Sequence, residues 1–124
     1  MTKRVLVVDD EPNIVMSLEF LMRRAGFEVQ VARNGREAIA ALEGPPPDLM
    51  LLDVMMPEFD GYEVCERVRA REEWRATKII MLTARGRDAE RERGLKVGAD
   101  AYVTKPFSTR ELVEQAKRIL GVAG

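Results

Sequence analysis

Asp48-Leu49-Met50-Leu51-Leu52-Asp53 is the stretch whose reading decides the fold. Its four apolar residues are bracketed by acids and preceded by the breaker Pro45-Pro46-Pro47. A short, continuous apolar run bounded in this way fits a strand covered on both faces. Outward from it, Arg4-Val5-Leu6-Val7-Val8-Asp9 and Lys78-Ile79-Ile80-Met81-Leu82-Thr83 repeat the pattern. Phe27-Glu28-Val29-Gln30-Val31-Ala32 alternates at period two, and Ala101-Tyr102-Val103-Thr104 is a shorter fifth strand candidate.

Helix-length stretches separate these runs. Pro12 suits a first helical turn, and Ile14, Leu18 and Leu21 recur at helical spacing before Gly26. Asn34 can cap a second helix carrying Ala38, Ile39 and Leu42, closed by Gly44. Tyr62, Val64, Cys65 and Val68 begin a third after Asp60-Gly61. Asp88 can cap a charged fourth that ends near Gly98. Ser108, followed three residues on by Glu111, fits a capping box for a fifth with Leu112, Ala116, Ile119 and Leu120. Strand-helix alternation repeated five times, with short connections, predicts an α/β domain over residues 1–124. Its sheet should be parallel, with right-handed crossovers and helices on both faces.

Composition narrows the chemistry. The 124 residues include no histidine and one cysteine, Cys65. Ser-His and Cys-His pairs, an imidazole base and His-ligated metals are therefore excluded from this chain, as is an internal disulfide. With 46% hydrophobic and 33% charged residues the chain reads as globular rather than disordered. The apolar start, Met1 to Val8, is too short to span a bilayer and runs into Asp9-Asp10-Glu11, so the expected location is the cytoplasm, with no membrane contact. The formal net charge of −1 hides an asymmetry: residues 1–62 carry 6 basic and 11 acidic residues, residues 63–124 carry 14 and 10. The basic half mixes both signs along predicted helices, so direct nucleic-acid contact by this chain is not expected.

Open parallel sheets bind ligands beyond the carboxyl ends of their strands. There the sequence places Asp9-Asp10, Asp53, Thr83 and Lys105-Pro106. Taken singly, each acid reads as a turn or cap residue, Thr83 as a satisfied hydroxyl and Lys105 as a surface charge. Their convergence at one edge is what gives the set meaning. Crowded carboxylates repel unless a cation sits among them. A hard divalent ion such as Mg2+, or Mn2+ in its place, suits three acids with no nitrogen ligand.

The chain resembles the receiver domains of two-component response regulators over essentially its whole length. The likeness rests on Val7-Val8-Asp9-Asp10-Glu11-Pro12, on Leu52-Asp53-Val54-Met55-Met56-Pro57 with Asp60-Gly61, and on Met81-Leu82-Thr83-Ala84. It continues through Gly98-Ala99-Asp100 and Tyr102-Val103-Thr104-Lys105-Pro106-Phe107. The resemblance implies the flavodoxin-like doubly wound (βα)5 fold with strand order 2-1-3-4-5, an order that periodicity alone does not supply. It implies that Asp53 is the phosphoacceptor. It also implies that Asp10 and Asp53 hold Mg2+, with Asp9 acting through water and Met55 through its backbone carbonyl. Lys105 would pair with a phosphoryl oxygen, Thr83 would donate to another, and the ring of Tyr102 would swing inward behind it. Pro106 is the implied cis-proline. Met55 and Arg85, two residues after Asp53 and Thr83, are the implied tuners of dephosphorylation.

The implied partners are a sensor histidine kinase or a histidine phosphotransfer protein. Downstream stands a protein target or effector domain, read through the fourth helix, fifth strand and fifth helix. The implied state is a monomer or a phosphorylation-dependent dimer. Ala101 stands where many DNA-binding relatives carry a second acid, which weakens the symmetric dimer, although Asp100, Arg91, Lys117 and Arg118 remain candidates for cross-pairing on that face. The chain is thus expected to be a switch, catalysing only its own phosphorylation and dephosphorylation. The alternatives are a Mg2+-dependent aspartyl-phosphate phosphatase or phosphotransferase, a receiver reduced to an interaction module, and a fragment of a DNA-binding regulator. Against the phosphatase, Met55 occupies the position where such enzymes carry an acid.

Overall fold

The computed structural model describes residues 2–56, 60–83, 92–93, 95–105 and 107–122. In chain order these form β1 (Arg4–Val8), α1 (Pro12–Arg24), β2 (Glu28–Ala32), α2 (Gly35–Glu43), β3 (Leu49–Asp53), α3 (Gly61–Ala70), β4 (Lys78–Thr83), β5 (Ala101–Thr104) and α4 (Thr109–Leu120). A 3-10 turn, Glu72–Trp74, follows α3 and buries Trp74. The last helix is the fifth of the predicted series. Of the fourth, residues 92–93 and 95–96 are helical, while its expected cap, Asp88, lies outside the described residues, as do Arg85, Arg91 and Pro106.

The five strands pair in parallel in the order β2-β1-β3-β4-β5. That order explains the two kinds of strand sequence. β3, at the centre, is buried at every position, whereas the edge strand β2 shows exposed and covered residues in alternation. Successive side chains leave opposite faces of the sheet. Leu6, Val8, Met50, Leu52, Ile79 and Met81 accordingly pack with Ala38 and Leu42 of α2 and Val64, Cys65 and Val68 of α3. Val5, Val7, Leu49, Leu51, Ile80 and Leu82 pack with Leu18 and Met22 of α1 and Leu112 and Ala116 of α4.

The helix starts follow the sequence punctuation. Pro12 opens α1; the side chains of Asn34, Asp60 and Ser108 accept hydrogen bonds from the backbone N–H groups of Glu37, Glu63 and Glu111. α1 thus starts two residues after Asp10, and α3 starts at Gly61 beside its Asp60 cap.

Candidate functional site

Parallel register brings the strand ends to one edge. Val8 pairs with Leu52 and Asp53 with Leu82, so Asp9 and Asp53, the next residues along, are neighbours across β1 and β3. Thr83 pairs with Thr104, which puts Lys105 just beyond the end of β4. Asp9, Asp53 and Thr83 are buried, and Asp10 is exposed. Oxygens of Asp9, Asp10 and Asp53 all lie within 4.8 Å of one another.

Lys105 reaches into this cluster. Its Nζ lies 3.2 Å from Asp9 Oδ2 and 3.2 Å from Asp53 Oδ1, while Asp9 Oδ1 accepts from the Glu11 backbone N–H at 3.0 Å. One ammonium thus pairs with two of the three clustered carboxylates. Burial, with the charge of Asp9 added, pushes the Asp53 carboxyl up to about 6; Lys105 and a hydrogen bond from the Met55 backbone pull the other way. Burial disfavours the charged form of Lys105, yet Asp53 and Asp9 together hold its pKa above the ordinary lysine range. An all-oxygen, crowded and under-neutralised cluster fits a hard divalent cation that retains water ligands.

The other described residues singled out from the sequence are spread more widely. Met55 is 71% exposed beside Asp53. Tyr102 is half-buried, pairs in register with Met81 and packs against the α2/α3 side of the core. Met81, Thr83 and Tyr102 therefore share one sheet face, with Tyr102 one diagonal step from Thr83. Cys65 is buried in the core and its thiol is pushed up to about 11 by burial, which suits packing rather than reactivity. Within the chain, Asp100 accepts from Arg69 and from the Ile79 backbone N–H, both at 2.8 Å. Arg69 itself carried no sequence signal of this role beyond its four-residue spacing from Cys65.

A parallel 2-1-3-4-5 sheet with three acids, a threonine and a lysine at its carboxyl edge defines a signalling receiver. Residues 5–117 match the response regulator receiver domain, and the chain belongs to that family. It is 45% identical over 120 residues to the alkaline phosphatase synthesis transcriptional regulatory protein PhoP of Bacillus subtilis (strain 168), an alignment covering 97% of this chain and 49% of that protein. The chain spans about half the length of this curated relative. Among solved structures, the chemotaxis protein CheY4 of Vibrio cholerae superposes with a TM-score of 0.91 at 33% identity, covering 96% of this chain and 99% of the other. The response regulator DrrB of Thermotoga maritima, described as an OmpR/PhoB homologue, gives a TM-score of 0.87 at 30% identity, over 98% of this chain and 54% of the other.

Proposed function

We propose that Asp53 accepts a phosphoryl group from a phosphohistidine on a partner histidine kinase or phosphotransfer protein. An Asp53 carboxylate oxygen attacks phosphorus, the P–N bond breaks with its electron pair returning to the donor imidazole, and an acyl phosphate remains. The observation that carries this reading is the pairing of Lys105 with both Asp9 and Asp53 at one strand edge. Such an arrangement holds the nucleophile and a positive charge together before any donor arrives, and phosphoryl transfer depends chiefly on positioning and charge neutralisation.

Asp10 and Asp53, with Asp9 through water and the Met55 carbonyl, would hold Mg2+, which when bound neutralises charge on the transferring group. Asp53, ionised above its pKa of about 6, is available as a nucleophile at neutral pH. Lys105 shifts from the carboxylates to a phosphoryl oxygen, and the Thr83 hydroxyl donates to another. The product adds nearly two negative charges and three acceptor oxygens at Asp53. Thr83 and Tyr102 share a sheet face, which supports a coupled inward movement of the Tyr102 ring and a shift in the output surface around β5 and α4.

No described helix is long and apolar enough to cross a membrane. The proposed donor, a histidine kinase or phosphotransfer protein, supports action in the cytoplasm. The B. subtilis relative is named a transcriptional regulatory protein and is about twice as long as this chain, which favours an output through a DNA-binding partner or domain as a second reading.

The test is incubation with Mg2+ and a small acyl phosphate or phosphoramidate, followed by intact-mass measurement and peptide mapping. A stoichiometric, base-labile adduct at Asp53, absent from Asp53→Asn, is the expected result. No adduct, or an unchanged adduct in Asp53→Asn, sinks the reading. Rapid multiple turnover of simple phosphomonoesters would instead favour a phosphatase.

A further inference from the structure

Helix α3 is joined to Arg93, Val97, Gly98 and Asp100 along one face. Tyr62, Cys65 and Arg69 recur at a helical spacing of three and four residues and so form a single stripe. At the upper end of the stripe, the exposed Arg93 sets its guanidinium carbon 4.2 Å from the centre of the Tyr62 ring. In the middle, Cys65 Sγ lies 3.5 Å from the Val97 carbonyl oxygen. At the lower end, Arg69 donates to the carbonyls of Gly98 (2.8 Å), Thr77 (2.8 Å) and Arg75 (3.3 Å) and to Asp100 Oδ2 (2.8 Å).

The two ends differ in kind. Arg69 is largely covered, and its four acceptors, Asp100 among them, fasten the entry to β5 onto the start of β4, where Asp100 also accepts from the Ile79 N–H. Gly98 adopts a φ of 107°, and a Cβ there would come 2.7 Å from Arg69 Cγ, so only glycine lets its carbonyl seat on the guanidinium. The upper contact is a cation–π stack by a surface arginine, which is far weaker than a multidentate, partly buried guanidinium.

The upper end is also the end that adjoins the phosphoacceptor. Gly61 donates its N–H to the Val54 carbonyl at 2.9 Å, and it lies against the backbone carbonyl of Asp53 with no room for a Cβ. The first turn of α3 therefore moves with the main chain of Asp53, and Tyr62 is its next residue.

We propose that the Tyr62–Arg93 stack is a releasable latch, and that the Arg69–Asp100 ion pair, bonded on to Ile79, is a fixed pivot. Through them α3 passes the state of Asp53 to Arg93, Val97, Gly98 and Asp100 and on to β5. The coupling rests on the phosphoacceptor reading of Asp53. Tyr62, Arg93 and Arg69 are positioning residues in it and touch no reacting atom.

Amide hydrogen exchange separates the two ends. The Val97 and Gly98 N–H groups bond to the carbonyls of Arg93 and Leu95 at 3.1 Å, whereas the Asp100 N–H bonds to Ile79 at 2.8 Å. In the unphosphorylated protein, Arg93→Gln should speed exchange at Val97 and Gly98 about two- to fivefold, the scale of one surface cation–π contact, and leave Asp100 unchanged. Asp100→Asn should speed the amide at position 100 and leave the latch amides alone. Wild type carrying the Asp53 adduct should show the Arg93→Gln pattern. Unchanged Val97 and Gly98 in Arg93→Gln, or equal acceleration at all three amides, overturns the proposal. Wild type that forms the adduct yet keeps the unmodified rates at Val97 and Gly98 sinks the latch alone. Wild type that forms no adduct sinks the phosphoacceptor reading, and the coupling with it.

Discussion

Gly61 occupies space that no other residue can share with Asp53: a Cβ on Gly61 would run into the Asp53 carbonyl oxygen and come within 2.9 Å of Val54 Cα. Both neighbours are backbone, so neither can swing aside. Gly61→Ala should therefore push the first turn of α3 off the end of β3, costing about 1–3 kcal/mol, the range for overpacking a well-filled site. Urea denaturation reads that loss. Adduct formation at Asp53 should slow in the same variant, because Gly61 lies against the backbone of Asp53 and Val54. A Gly61→Ala protein with wild-type stability would show that α3 is not seated as described.

Asp53 costs the metal-free protein stability. Its folded-state pKa of about 6 exceeds the usual 3.8, so between those values the native state holds a proton that the unfolded chain has released. Stability attributable to this group is present below about pH 4, falls as pH rises through 6, and the deficit is full at pH 7. Asp53→Asn, measured with chelator present, should accordingly be more stable than wild type at pH 7. The gain is on the order of 1–3 kcal/mol, reduced by the lost pairing with Lys105. The difference should shrink towards pH 4. A pH-independent difference in thermal midpoint would contradict the assignment.

Lys105 offsets part of the same repulsion. Lys105→Ala leaves Asp9 and Asp53 buried without their shared ammonium, which should destabilise the metal-free protein by about 1–3 kcal/mol at pH 7 while leaving the fold intact. Mg2+ should restore much of that loss, since it supplies the missing charge. The variant should still form an Asp53 adduct but fail to transmit it to the β5 and α4 surface. Circular dichroism checks the fold, denaturation with and without Mg2+ checks the electrostatics, and a wild-type output response would refute the transmitting role.

The fold was legible because the central strands carry no alternation. β1, β3 and β4 are buried on both faces, so Val5–Val8, Leu49–Leu52 and Ile79–Leu82 read as apolar runs, while the edge position of β2 left its period of two visible. The acids, Thr83 and Lys105 were legible for a related reason: they sit at run ends, where parallel topology sends every carboxyl terminus to one side. Arg69 was not. Its partners, Arg75, Thr77, Gly98 and Asp100, come from two other segments, and three of its four acceptors are backbone carbonyls, which have no residue identity to read. Trp74 escaped for a similar reason. Its burial depends on a single 3-10 turn too short to leave a periodic pattern.

Under the proposed phosphotransfer, Met16 and Phe20 of α1 offer the donor protein an apolar contact. They are 69% and 65% exposed, lie four residues apart on one face of α1, and belong to the helix that starts two residues after Asp10. Isolated exposed apolar residues are common, but an adjacent pair beside a reactive edge is a fitting contact for an apolar helix face on a donor protein. Met16→Ser combined with Phe20→Ser should leave stability within about 0.5 kcal/mol of wild type, because neither side chain contributes to the core. Adduct formation with a small acyl phosphate should be unchanged, since that donor needs only the Asp53 edge. Phosphorylation by a histidine kinase that modifies the wild-type chain should slow by about tenfold, the effect of losing roughly 1.4 kcal/mol from a protein interface. Equal slowing with both donors would mean the double substitution disturbs the site itself. No slowing with the kinase would place donor recognition on another face.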